Sequence, residues 1–369
     1  MSGQIPQRSI GKLDQLVSAL PHEERRRFKQ IFHLNITTGT TFPPESMHTW
    51  LAARFGSVNA VRQQRIVKIT NRATMEGTLF NALRARRPDQ APPLGVDVQR
   101  QMENREGCDF CHPQNRTPAD QFGRVRGEHC VTASNVAKGD GWHAVVIFDE
   151  HHPLRFSVSQ VADYVDTAQE WAQAAHRADP AACYPFFLWN CLWRSGASII
   201  HGHAQVTLTR DMHYARVEHW RQASLRYHQQ HGGDYFDDLV AIHRTLGLVV
   251  DHGSASILAS LTPAKEKEIL IVAPQLGPDL KSALYHALHT LVEELGVQSF
   301  NVGLYQPPLC DTAEDWTHFP FILRILSRGN MTSVTSDVGA TEFFAQSIVV
   351  TDPFRLADAL DPIRREETP

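Results

Sequence analysis

A chain of 369 residues with 42% apolar and 21% charged side chains can build one large core or two smaller ones, and length alone does not choose. It carries no apolar run of about eighteen residues and no basic segment followed by an apolar stretch after Met1, which excludes an evident membrane span or secretory signal and makes a cytoplasmic protein the expectation. The net charge of −4 gives no global pull toward nucleic acid, so polyanion binding is confined to short basic clusters such as Arg25-Arg26-Arg27 and Arg84-Ala85-Arg86-Arg87.

In chain order, Leu13, Leu16, Val17, Leu20, Phe28, Ile31 and Phe32 recur at helical spacing, interrupted by Pro21, and a second helix is expected over 44–55. Residues 1–70 therefore read as an N-terminal helical extension. Residues 91–107 are polar and rich in turn formers, a loop that delivers the Cys108 region. A strand over 142–148, a helix over 158–176 and strands over 184–189 and 199–208 form one β-α-β-β unit. The order recurs as a strand over 268–272, a helix over 280–295 and strands over 299–305 and 319–326. Helices over 217–230 and 235–246 join the two units, and the chain closes with a strand over 343–350 and a helix over 353–360. The fold class is α+β, with duplicated β-α-β-β units, mostly antiparallel sheet, and a division at 1–70, 71–212 and 213–369.

Six cysteines over this length make no disulfide framework, but Cys108 and Cys111 form a Cys-x-x-Cys pair, and the chain holds 20 histidines. The pair follows a polar loop and does not open a helix after a strand, which favours a tetrahedral Zn²⁺ over thiol redox chemistry. The remaining ligands are expected among His143, His151, His152 and His201, and spacing does not select two. In the stretch His201-Gly202-His203-Ala204-Gln205, strand alternation turns His201, His203 and Gln205 to one surface. Ser195-Gly196-Ala197-Ser198 just before it is a small-residue turn that can approach a phosphate.

These pieces resemble, in order as well as content, the galactose-1-phosphate uridylyltransferase branch of the histidine-triad (HIT) superfamily. The likeness runs over residues 75–360, from Arg84-Ala85-Arg86-Arg87-Pro88 through the Cys-x-x-Cys pair and Trp142-His143-Ala144-Val145-Val146-Ile147 to Asn190 and the His-x-His-x-Gln strand. It implies tandem HIT-like repeats and a structural zinc on Cys108, Cys111, His152 and His201, the His151-His152 doublet leaving a one-residue choice. It also implies His203 as a nucleophile that carries a nucleotide, with Gln205 and Ser198 donating to the phosphate. Gln205 stands where hydrolytic members have a histidine, which favours transfer over hydrolysis.

Arg84 and Arg87 are candidates for phosphate contact, Asn135 and Asn190 for the nucleotide, and Asn301 and His318 for the other substrate. The implied substrates are a nucleotide sugar or dinucleotide and a phosphate-bearing acceptor, with neither nucleic acid nor membrane as partner, and the family's dimers make a homodimer an analogy. Transfer of a nucleoside monophosphate between a nucleotide sugar and a sugar 1-phosphate is the leading expectation. The alternatives are a nucleoside-diphosphate-sugar or diadenosine polyphosphate phosphorylase and a non-catalytic nucleotide-binding protein. Two features depart from the family: Gly202 replaces the usual proline, and the second unit keeps His318 without a His-x-His pair.

Overall fold

The computed structural model describes residues 8–86 and 94–361. Three strands come first, β1 (Phe32–Thr40), β2 (Gln63–Asn71) and β3 (Gly77–Phe80). Nine follow: β4 (Cys130–Ser134), β5 (Trp142–Phe148), β6 (Ala182–Cys191), β7 (His203–Arg210), β8 (Val249–His252), β9 (Ala255–Ala259), β10 (Ile269–Ala273), β11 (Phe300–Tyr305) and β12 (Phe321–Ser327). β13 (Ser347–Val349) is the last. β1, β2, β3 and β13 make a four-stranded sheet, and the other nine form one sheet in the order β4-β5-β7-β6-β11-β12-β10-β9-β8.

The α+β class and the mostly antiparallel pairing are as expected. Read outward from the β6–β11 seam, β6-β7-β5-β4 on one side corresponds to β11-β12-β10-β9 on the other, each half with its helix, Val158–Ala178 or Pro278–His289, between its second and third strands. Alternation divides β5 and β7 cleanly. Ala144, Val146, Phe148, Ala204, Val206 and Leu208 are buried in the main core, where Phe148 stacks on Tyr164 of the helix Val158–Ala178 at 3.5 Å. That helix starts on a reciprocal cap, Ser157 accepting from Gln160 N and the Gln160 side chain accepting from Ser157 N. Val145, Ile147, His203 and Gln205 take the opposite face, the one that carries the site.

Three expectations are corrected. Residues 1–70 are not only helical: after the helix His22–Ile31 the alternation of Phe32, Leu34 and Ile36 is that of a strand, and β1 pairs antiparallel with β2. The segment 343–350 is not one strand, because a short helix, Ala340–Phe344, precedes β13, which runs parallel to β3 and ties the C-terminal region to the N-terminal sheet. The expected strand over 199–208 begins only at His203. Among the described residues, no helix is long and apolar enough to cross a membrane.

Arg324 on β12 couples the two sheets. Its Nε lies 2.8 Å from Glu268 Oε1 and its Nη1 2.7 Å from Glu76 Oε1, in the turn between β2 and β3, while its guanidinium sits 4.7 Å from the ring centre of Trp220. Side-chain exposure is 10% for Arg324 and 0% for Glu268, so losing the arginine leaves a buried carboxylate with no counter-charge. Arg324→Met is expected to cost about 3–5 kcal/mol in chemical denaturation. Arg126→Ala, which breaks the exposed pair with Asp149, is expected to stay within about 1 kcal/mol.

Candidate active site

The loop before β7 brings together what the sequence holds far apart. Cys108 caps and Cys111 ends a single helical turn, Asp109–Cys111, and their sulfurs meet the side chains of His151 and His201, all four donor atoms lying within 4.8 Å of one another. Cys108 Sγ is 3.4 Å and Cys111 Sγ 3.6 Å from His201 Nδ1; Cys111 Sγ is 3.3 Å from His151 Nδ1, and the two Nδ1 atoms are 3.1 Å apart. Tetrahedral bonds of about 2.0–2.3 Å put neighbouring donors roughly 3.3–3.8 Å apart, so two thiols and two imidazoles with these spacings suit a soft divalent cation.

His201 Nε2 donates to the carbonyl of Phe148 at 2.7 Å, which fixes the ring and turns the Nδ1 lone pair to the cluster. Burial pushes its pKa down to about 4, so the imidazole is neutral and able to ligate.

The histidine at the strand end is therefore His151, not His152. His152 points away, its Nδ1 accepting from Leu154 N at 3.3 Å. Beyond Phe148 the chain leaves β5, and strand alternation no longer decides which member of the doublet faces the cysteines. His201 likewise precedes β7, so its direction is set by the chain around Gly202. Gly202 N donates to His151 O and Phe148 N to Gly202 O, each at 3.0 Å. A Cβ at Gly202 would stand 2.8 Å from Phe148 Cδ2 and 3.1 Å from Glu150 O. Proline there would collide and lack the donated N–H, which accounts for glycine at this position.

His203, the first residue of β7, is 6% exposed. Its Nδ1 donates to the carbonyl of His201 at 2.8 Å, leaving the lone pair on Nε2. Burial lowers its pKa, and the bond to His201 opposes that only in part. Phe110, from the cysteine turn, packs edge-on against both rings, 5.3 Å from His203 and 5.9 Å from His201 between centroids.

Gln205 lies on the same face, held by a residue that sequence reasoning placed only among the metal candidates. Gly139 N donates to His143 Nδ1 at 2.9 Å, so the ring proton sits on Nε2 and is given to Gln205 Oε1 at 2.8 Å. Asn135 Nδ2 is 3.1 Å from the same nitrogen; facing a donor, it keeps its own protons for another partner. His143 and Gln205 lie diagonally across the β5–β7 ladder, His143 opposite Thr207 and Val145 opposite Gln205, a relation visible only once the register is known.

Asn190 on β6 and Asn301 on β11 are directly opposite across the seam, with Asn301 Nδ2 donating to Asn190 Oδ1 at 2.6 Å and to Ser195 O at 3.0 Å. Ser198 is exposed in the loop between them and β7, whereas Ser195 is buried and gives its hydroxyl to Leu192 O at 2.7 Å. Arg84 is exposed in the turn Ala82–Arg86, and Arg87 lies outside the described residues. His318 belongs to a different cleft, lined also by Phe236, Val272 and Pro274, where its Nδ1 faces Asp234 Oδ2 at 3.0 Å and its ring stacks on His228.

No protein-family profile and no curated protein matches the sequence. Solved structures match in fold. ADP-glucose phosphorylase from Arabidopsis thaliana, with bound ADP-glucose, has a TM-score of 0.61 at 15% identity, covering 79% of this chain and 97% of its own. A uridylyltransferase has 0.55 at 16% identity, covering 80% and 98%, and a GalT-like protein from Arabidopsis thaliana has 0.55 at 16%, covering 69% and 91%. At 15–16% identity, what these proteins share with this chain is the fold.

The cluster makes a sharp prediction about the histidine doublet. Protein produced with zinc in the medium is expected to carry about one equivalent of metal by elemental analysis, lost in His151→Ala and His201→Ala and kept in His152→Ala. Metal kept in His151→Ala and lost in His152→Ala would reverse the assignment.

Proposed function

We propose that this chain is a nucleotidyltransferase that works by double displacement through a nucleotide carried on His203, passing a nucleoside monophosphate between a nucleotide sugar and a sugar 1-phosphate. The observation that carries the reading is the state of His203: a neutral ring whose proton is held on Nδ1 by the His201 carbonyl, with a lone pair on Nε2. In the first half-reaction Nε2 attacks the α-phosphorus. The N–P bond forms as the bond to the departing phosphate oxygen breaks, and that oxygen leaves with the electron pair.

The ring then carries a positive charge, which the carbonyl accepting from Nδ1 is placed to stabilise. A phosphate oxygen of the acceptor reverses the step and restores neutral His203.

Gln205 has its Oε1 committed to His143, so its amide N–H groups face outward to donate to the non-bridging oxygens. An amide has no proton to give a leaving group, which supports transfer to a phosphate over release to water. Asn135, whose amide meets His143, and Asn190 supply further donors, and Ser198, Arg84 and Arg87 are kept as phosphate candidates from the sequence. In this reading Asn301 acts by holding Asn190, and His318 stands apart from the reacting groups. Zinc is the metal that suits Cys108, Cys111, His151 and His201; with four protein ligands it would cross-link the cysteine turn, the end of β5 and the approach to β7, without activating water.

A second reading keeps the intermediate and takes inorganic phosphate as acceptor; the fold likeness to ADP-glucose phosphorylase supports it.

Incubation with UDP-, ADP- or GDP-glucose is expected to add one nucleoside monophosphate, acid-labile, by intact mass, and His203→Ala to add none. Discharge of the adduct by a sugar 1-phosphate or by orthophosphate separates the two acceptors. Nucleotide binding with no adduct from any donor would instead indicate a non-catalytic binding protein. His143→Ala is expected to slow adduct formation on the order of tenfold or more while leaving nucleotide affinity unchanged. Adding His143→Ala to Gln205→Ala is expected to change little further, because one acts through the other.

A further inference from the structure

The Arg25-Arg26-Arg27 cluster takes no part in this chemistry, and the helix His22–Ile31 divides it. Arg27 turns to acids, its Nε 2.7 Å from Asp238 Oδ1 and its Nη1 3.0 Å from Glu24 Oε2. Arg25 and Arg26 instead line a cleft of about 670 Å³, together with Lys29, Arg72 and the amides of Gln30 and Gln230, at the end of the helix Ala215–His231. Arg72 also lines the adjoining cavity over β1 and β2, where Lys68, His33 and Asn35 join it. None of these residues belongs to the site around His203.

Two features distinguish this surface from an ordinary solvated face. Among the described residues no carboxylate lines either cavity, although the chain as a whole is net negative at −4. Arg26 pairs with Glu23, but Lys29, Lys68 and Arg72 have no acidic partner among the described residues. Like charges concentrated in a concave surface repel one another and focus a positive potential that an anion relieves.

The second feature is rigidity. The β1–β2 register sets His33 opposite Thr70 and Asn35 opposite Lys68, and Arg72, just past the end of β2, donates its backbone N–H to Ile31 O at 2.7 Å, so the backbone carrying Lys68 and Arg72 is fixed. No Phe, Tyr or Trp lines the two cavities among the described residues, and the donors are guanidinium, ammonium, amide, imidazole and hydroxyl groups, the imidazoles being those of His22, His231 and His33. A lining dominated by cationic and amide donors matches phosphate oxygens.

We infer that the cleft around Arg25, Lys29, Arg72 and Lys68 binds a chain of closely spaced phosphates, in a free polyphosphate or in a nucleic-acid backbone. The small overall charge argues only against a global attraction, and this one is local. The full chain would be titrated in two arms at about 0.15 M salt. One uses inorganic tripolyphosphate, followed by calorimetry; the other uses a labelled mixed-sequence single strand of about twelve nucleotides, followed by anisotropy.

Binding is expected in at least one arm, and the arm that binds identifies the source of the phosphates. Affinity should fall steeply with added salt. The variant Lys29→Glu/Arg72→Glu, both at exposed positions, should bind at least about tenfold more weakly with an unchanged melting temperature. Arg177→Glu/Arg216→Glu, which changes the net charge equally at exposed positions outside the cleft, should bind as the parent does. No binding in either arm, or an equal loss in both variants, would overturn the inference.

Discussion

The bond from His203 Nδ1 to the carbonyl of His201 is the contact on which the site depends. It decides which nitrogen bears the lone pair, and it makes one residue answer to two demands, since the His201 side chain belongs to the cysteine cluster. A neutral hydrogen bond contributes only about 0.5–1.5 kcal/mol net, too little to orient a buried ring against competing contacts. The orientation comes from around it. His201 is fixed at Nε2 by Phe148 O and at Nδ1 by the cluster, and the backbone on either side of Gly202 is bonded to His151 and Phe148. A structural zinc site binds with about 10–16 kcal/mol, so metal held by these four residues would dominate the local energetics and carry the His203 carbonyl partner with it.

Much of this was legible in the sequence, for physical reasons that differ residue by residue. Cys-x-x-Cys and His-x-His are local patterns whose geometry follows from a turn and a strand, so both could be read directly. The choice between His151 and His152 could not, because it falls where the chain leaves β5 and the two-residue period ends. His143 was seen only as a metal candidate. Its link to Gln205 depends on the register between β5 and β7, strands separated by a helix and by β6, and register is a non-local property.

The N-terminal strands were missed although Phe32, Leu34 and Ile36 alternate. The preceding helical run extends in period to Ile31 and Phe32, and the strand's partner lies some thirty residues further on, at Gln63–Asn71. The two long connecting helices and the final helix, with Asp or Gly caps and local apolar stripes, were read nearly to their ends.

The second half of the large sheet carries no His-x-His pair, yet it shapes the turn before β7. Leu192 leaves β6 with φ +65°, a costly conformation for a branched side chain. Its carbonyl accepts from Ser195 N, Ser195 Oγ and Ala197 N, so the turn is locked from within. From across the seam Asn301 holds Ser195 O and Asn190 together, and Arg328 holds Asn301 Oδ1 at 2.9 Å while binding Asp337 through two further nitrogens. Arg194, inside the same turn, donates to the carbonyls of Ser333 and Thr335. A strained turn persists only where its surroundings over-determine it, and here most of those surroundings come from the other half. This gives the second unit a physical role that needs neither a metal nor a nucleophile: it supplies the groups that keep Asn190 and the turn after β6 in place ahead of β7.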